Sequence, residues 1–240
     1  NSPLKTIATN DKFLYLTKTK SYQLPTPPQM HNKGNYIISL SDFTKWLAQQ
    51  AEELEVEIYP GFSASEVLYD ENNKVVGVAT CDMGRLKDGS EGPNFERGIE
   101  LRAKQTIFSE GCRGHLGKTL MEKFNLNSEN SPQTYGIGIK ELWEISPDKS
   151  KPGSIMHTTG WPLDNDTYGG SFLYHLDNNK VSIGFVIGLD YKNPYLSPYL
   201  EFQRFKHHPE IKEILEGGRR INYGARALNE GGVQSLPKLT

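Results

Sequence analysis

Thr106-Ile107-Phe108-Ser109-Glu110-Gly111-Cys112-Arg113-Gly114 decides how the first half of this 240-residue chain is read. A β-type run enters a turn bracketed by glycines, and a helical stretch follows over about residues 115–124. Glycine lets backbone approach a ligand closely, and the first turn of a helix presents N–H groups that favour a phosphate. Glu110, Gly111 and Gly114 are therefore candidate contacts for a nucleotide cofactor. The same residues also describe a tight strand-to-helix turn that holds nothing.

Upstream of this turn the pattern is mixed. Phe13-Leu14-Tyr15-Leu16 is a short apolar run, and Pro25, Pro27 and Pro28 keep the next segment extended. Tyr36-Ile37-Ile38 is a β-type run. Ser41 stands where an N-cap belongs, with Asp42 in the first turn, and Phe43, Leu47, Ala51 and Leu54 recur at helical spacing. A helix is expected over 42–54. Val56 to Tyr59 alternates like a strand. Residues 64–68 and 75–79, around Asp70-Glu71-Asn72-Asn73, predict a hairpin. A polar, Gly-rich excursion over 83–94 precedes another alternating run, 100–104.

Downstream of about residue 130 the segments become aromatic, Gly-rich and β-like: 135–144, 153–161, 170–176 and 180–191. Residues 198–215 predict one or two helices ending at Gly217-Gly218. The fold class that follows is α+β or α/β: an α/β piece over 33–125 joined to a mostly antiparallel β layer over 126–240. Thr167-Tyr168-Gly169-Gly170-Ser171-Phe172 sets paired glycines between aromatics, a wall for a flat ligand or else a bulge or hairpin turn. In Gly224-Ala225-Arg226-Ala227-Leu228-Asn229-Glu230-Gly231-Gly232, Asn229 offers both donor and acceptor to a flavin ring edge, or lies in an ordinary polar turn. His207 and His208 are adjacent, so their side chains diverge by about 100° on a helix and make a poor metal pair; both are expected at the surface.

Composition narrows the function. Charged residues make up 23% and the net charge is −2, which gives no electrostatic footing for nucleic acid. Cys81 and Cys112 are too few and too far apart for an iron–sulfur site. No apolar run approaches the roughly 20 residues of a spanning helix. The chain begins Asn-Ser-Pro-Leu, which is not a secretory signal; without an initiating Met it is either processed or a fragment. No GxGxxG follows a strand, and no hydrolase triad or carboxylate pair stands out.

Taken together, long motifs resemble the electron transfer flavoprotein–ubiquinone oxidoreductase family. They include His31-Asn32-Lys33-Gly34-Asn35-Tyr36-Ile37, Glu110-Gly111-Cys112-Arg113-Gly114-His115-Leu116, Gly136-Ile137-Gly138-Ile139-Lys140-Glu141-Leu142-Trp143, Tyr168-Gly169-Gly170-Ser171-Phe172-Leu173-Tyr174-His175 and Asn193-Pro194-Tyr195-Leu196-Ser197-Pro198. The resemblance spans nearly the whole chain. It implies a central fragment of an FAD enzyme that passes electrons from reduced electron transfer flavoprotein to ubiquinone, with a 4Fe-4S cluster whose ligands are not in this chain. It implies that 33–125 is part of a glutathione-reductase-like FAD domain, to which 226–240 returns, and that 1–32 and 126–225 belong to a quinone-binding domain. Tyr168, Gly169 and Gly170 would lie at the quinone head group; Glu110, Gly111, Gly114 and Asn229 would contact FAD. Expected partners are electron transfer flavoprotein, ubiquinone and a membrane surface, at the matrix side of the mitochondrial inner membrane or a bacterial cytoplasmic membrane. The isolated fragment is expected to be inactive. Two other readings remain: a geranylgeranyl reductase-like FAD enzyme, and a non-catalytic quinone- or lipid-binding module.

Overall fold

A computed structural model describes residues 2–238. In chain order the elements are strands β1 (Thr6–Ile7), β2 (Asn10–Leu16), β3 (Ser21–Leu24) and β4 (Tyr36–Ile37), helix α1 (Leu40–Glu52), strands β5 (Ala64–Tyr69), β6 (Val75–Thr80), β7 (Met83–Arg85), β8 (Glu91–Glu96) and β9 (Glu100–Arg102), and helix α2 (His115–Lys123). Then come strands β10 (Tyr135–Glu144), β11 (Ser154–Gly160), β12 (Gly169–His175) and β13 (Lys180–Gly188), helices α3 (Pro198–Lys206) and α4 (Pro209–Leu215), and strand β14 (Arg219–Asn229). Two compact units result: residues 1–55 with 132–232, and residues 56–131 with 233–240.

The larger unit is built on a seven-stranded sheet in the order β14-β10-β13-β12-β11-β2-β3. Every ladder in it is antiparallel except β11 with β2. Successive strand residues face opposite sides. In β13 the alternate residues Val181, Ile183, Phe185 and Ile187 are at most 2% exposed, so this face is core. Phe202 and Phe205 of α3 and Ile211 of α4 cover it, with Phe185 and Phe205 rings 5.4 Å apart. Full burial of each such side chain contributes about 1.5–3 kcal/mol. The expected helical segment 198–215 divides in two because Pro209 cannot continue α3 and instead starts α4.

In the smaller unit the expected hairpin forms as β5 and β6, with Asp70 accepting from the backbone N–H groups of Asn72 and Lys74 across the turn. β9 extends this sheet, and Leu116 and Leu120 of α2 pack on Val67.

Several expectations change in detail. The N-cap of α1 is Ser39, whose hydroxyl accepts from Asp42 N–H, not Ser41. No residue of α1 is buried, so its apolar stripe faces no core among the described residues. Residues 56–59 and 106–108 have strand-like sequence yet are irregular. A strand exists only where a neighbour takes up its N–H and C=O groups, and among the described residues neither stretch has one. Ile107 is 83% exposed. Residues 224–229, read as a polar turn, are the end of β14.

Candidate functional site

Gly169 and Gly170 open β12 as regular strand, not as a bulge or turn. They lie opposite Ile187 and Val186 of β13, and Gly188 N–H donates to the Tyr168 carbonyl at 2.9 Å. On the other side, the β12 ladder with β11 stops at Ser171 opposite Thr158. The glycine pair therefore lies beyond that ladder, although β11 itself runs on to Gly160 along β2. Space around the pair is tight. A Cβ on Gly169 would stand 2.4 Å from the Val186 carbonyl oxygen, and one on Gly170 2.7 Å from that of Thr158. Glycine is thus demanded here by the chain's own backbone. Tyr168, beside the pair, is 72% exposed.

Gly170 belongs to the sheet face opposite α3 and α4. The register puts Gly136 and Gly138 of β10, Gly184 and Gly188 of β13 and Gly224 of β14 on this same face. Side chains close over most of them, Glu230 over Gly136 and Leu228 over Gly138, while Gly224 has open space above it. Phe172 lies flat across Gly184, so that a Cβ there would be 2.3 Å from its ring, and it stacks on Tyr174 with centroids 4.7 Å apart. Toward β11 and β2 the face becomes polar. His157 Nε2 and the Tyr174 hydroxyl are 2.8 Å apart. Burial holds the His157 imidazole below its ordinary value, with the Asp11 charge partly opposing; burial and Asp11 both push the Tyr174 hydroxyl up. Asp11 accepts from the Asn32 backbone N–H at 2.9 Å and from Asn32 Nδ2 at 2.8 Å. A cavity of about 210 Å³ runs past Tyr174, Ile155 and Asn32.

In the smaller unit, Glu110 turns back on the helix that follows it. Its carboxylate accepts from Gly117 N–H at 2.7 Å and Leu116 N–H at 3.3 Å, and His115 Nδ1 is 3.4 Å away. This carboxylate already serves as the anion at the start of α2, so the helix start does not fit a phosphate. Gly114 is glycine because a Cβ would stand 2.3 Å from the Glu110 side chain. Gly111 has φ +88° and open space around it, so it alone of the three keeps a backbone that a cofactor can approach. In the larger unit, Asn229 ends β14 opposite Tyr135 and is exposed. Next to it, Glu230 covers Gly136, and burial followed by the Asp190 charge raises its carboxyl.

Two polar features of the larger unit lie away from the glycine pair. Glu141, 2% exposed, accepts from Lys206 Nζ at 2.8 and 3.0 Å, from Trp143 Nε1 at 2.8 Å and from Arg220 at 3.2 Å. Burial alone would raise its carboxyl, but these donors together hold it below the ordinary carboxylate range. His208 is 1% exposed, contrary to the expected surface position. Its Nδ1 accepts from Glu210 N–H and caps α4, and its ring lies 5.7 Å from Trp161. Cys81 and Cys112 are not joined in a disulfide, and no group of three or more metal-ligating side chains is found among the described residues.

The fold recurs in solved proteins. A geranylgeranyl bacteriochlorophyll reductase-like protein from Thermoplasma acidophilum superposes with a TM-score of 0.64 at 15% identity, over 92% of this chain and 50% of that one. A triple mutant of the flavin-dependent brominase Bmp2 gives 0.59 at 15% identity, over 94% and 51%. The chain thus has a mixed α+β fold with mostly antiparallel sheets, of the type found in flavin-dependent enzymes. The family model for ETF-QO, ubiquinone-binding, matches residues 135–228, the stretch from β10 into β14. Mitochondrial electron transfer flavoprotein-ubiquinone oxidoreductases are 59% identical over 99% of the chain in Dictyostelium discoideum and 57% identical over 100% in Homo sapiens. With such identity along its whole length, the chain belongs to the electron transfer flavoprotein–ubiquinone oxidoreductase family. It spans 39% of the length of these curated relatives.

Proposed function

We propose that this chain carries the quinone face and part of the flavin site of an oxidoreductase that passes electrons from reduced electron transfer flavoprotein to ubiquinone. The observation that carries this reading is the 59% identity that runs through both compact units. In this reading residues 1–32 and 126–225 serve the quinone side, and 33–125 with 226–240 serve the FAD side. FAD, when bound, supplies the redox chemistry. Gly111 and Asn229 would meet it through backbone and side-chain amide, while Glu110 and Gly114 shape the turn that presents Gly111. A 4Fe-4S cluster belongs to the parent protein, with ligands outside this chain.

On the quinone side, Gly169, beside Gly170, offers a backbone N–H beyond the end of the β11 ladder, because the alternation of the β13 ladder turns Gly170 N–H toward Val186 and Gly169 N–H away from it. Tyr168 would border the head group. The association proposed is with a membrane surface, at the mitochondrial inner membrane on the matrix side; among the described residues no helix is long and apolar enough to cross a membrane. A Gly170→Val change would strike the Thr158 carbonyl whether or not quinone binds, so it does not isolate the site. Tyr168→Ala does, because the side chain is exposed and its loss leaves the sheet intact. In the full-length enzyme it is expected to raise the quinone KM several-fold with flavin content and Tm unchanged. A full-length protein that holds flavin yet reduces no ubiquinone with reduced electron transfer flavoprotein would overturn the proposed function.

A further inference from the structure

Reducing a quinone to a quinol consumes two electrons and two protons. The reading above assigns the electrons to a reduced flavin and says nothing of the protons. A quinone ring lying on a protein face needs an ionisable group within reach, connected to water. On the face that carries Gly170, the ionisable groups toward β11 and β2 are His157, Tyr174, Asp11 and Tyr15. His157 lies opposite Phe172, so Gly170, two residues along the same face, is its diagonal neighbour. Such diagonal pairs are about 7–8 Å apart, within the span of an imidazole and a bound ring.

We propose that His157 and Tyr174 form the proton-delivery pair for the quinone bound at Gly169 and Gly170, refilled from water in the cavity beside Asn32 and Asp11. The proposal rests on the quinone reading of the glycine pair. Three contacts mark out the route. His157 Nε2 meets the Tyr174 hydroxyl at 2.8 Å, and Tyr174 and Asn32 line one cavity of about 210 Å³, ample for water. Asn32 Nδ2 in turn donates to Asp11 at 2.8 Å.

Neutral His157 suits a relay. With Tyr174 donating to Nε2, the proton sits on Nδ1. As the quinone oxygen receives electrons, the Nδ1–H bond breaks and the new O–H bond forms. The Tyr174 proton moves to Nε2 in the same step, so the ring stays neutral, and cavity water reprotonates Tyr174, its hydroxide passing to bulk solvent. A flip of the imidazole returns the protonated nitrogen to the quinone and the bare one to Tyr174, and a second passage supplies the second proton. Burial, partly opposed by the Asp11 charge, favours this neutral ring.

The test uses the full-length holoenzyme, with turnover measured against a short-chain ubiquinone and against a one-electron acceptor that takes no proton. In His157→Ala the ratio of quinone to one-electron turnover is expected to fall on the order of 10²-fold, with quinone affinity within twofold of native. Added imidazole should restore much of the loss. Tyr174→Phe, which keeps the stacking on Phe172, is expected to lower the same ratio and to alter the pH profile. A native ratio in both variants, or a loss in His157→Ala that imidazole leaves untouched, overturns the relay. If Tyr168→Ala leaves quinone affinity unchanged, the quinone placement itself fails, a result separate from any outcome at His157.

Discussion

His175 gives the sharpest test of the larger unit's energetics. It closes β12, is 4% exposed, and its Nδ1 accepts from Lys151 N–H at 3.2 Å. Burial, aided by the Lys151 charge, depresses the imidazole from 6.5 to about 4. The sign follows from proton counting. Below the ordinary histidine value the unfolded chain takes up a proton that the native protein refuses, so stability falls as pH falls and levels off only below the native value. Each unit of separation is worth about 1.4 kcal/mol, so this one group costs about 2 kcal/mol between pH 7 and 5 and about 3 kcal/mol by pH 4. His175→Gln keeps an acceptor for Lys151 N–H but cannot titrate. Urea unfolding of both proteins at pH 7 and pH 5 isolates the group, because histidines common to the two, His157 included, cancel in the difference. The native protein is expected to lose about 2 kcal/mol relative to the variant on acidification. Parallel pH dependences would refute the reasoning and mean that the buried ring is protonated in the native state or relaxes into solvent.

Lys206→Met removes the two shortest cationic contacts of buried Glu141 and is expected to destabilise the larger unit by about 3 kcal/mol at pH 7, measured by thermal unfolding followed through tryptophan fluorescence; adding Glu141→Gln should recover part of the loss. The stabilisation that native Glu141 provides is fully present above the ordinary glutamate value of about 4.3 and is lost as pH falls through its lowered native value, a window below that of His175. Glu110→Ala should cost about 1 kcal/mol by loss of the cap on α2 and speed amide exchange at Leu116 and Gly117; unchanged exchange there would remove Glu110 from the capping role.

How much of this was legible in the sequence depends on where each segment finds its partners. Strands buried on one face announce themselves: Lys180–Gly188 alternates because one side of it meets α3 and α4. The hairpin of β5 and β6 is local, and Asp70 with Asn73 writes its turn. By contrast β14 is an edge strand, exposed along nearly its whole length, so no apolar period marks it and its end passes for a turn. Residues 56–59 and 106–108 fail in the opposite way: the period is present, but the ladder partner is not among the described residues. Local pattern states a preference, and pairing decides.

The site was legible to a different degree. Glycines flag close approach but not what approaches. Gly170 answers to the Thr158 carbonyl and Gly114 to the Glu110 carboxylate, so in both cases the neighbour that forbids a side chain is the protein itself. Glu110, chosen beside a helix start that favours anions, is that anion. What does distinguish the Gly169–Gly170 pair is topological: the β11–β12 ladder stops at Thr158 and Ser171, while β11 itself runs on to Gly160 along β2. Where a ladder stops depends on the neighbouring strand, which no reading of the motif itself supplies. His157 and Tyr174 were hidden for the same reason. Seventeen residues separate them, and each looks like an ordinary strand residue; only the antiparallel register brings the imidazole to the hydroxyl on the face that Gly170 shares. If the relay operates, its function rests on a cross-strand pair and not on consecutive residues, so substitutions at His157 and Tyr174 should couple in a double-mutant cycle while either with Tyr168 should be additive.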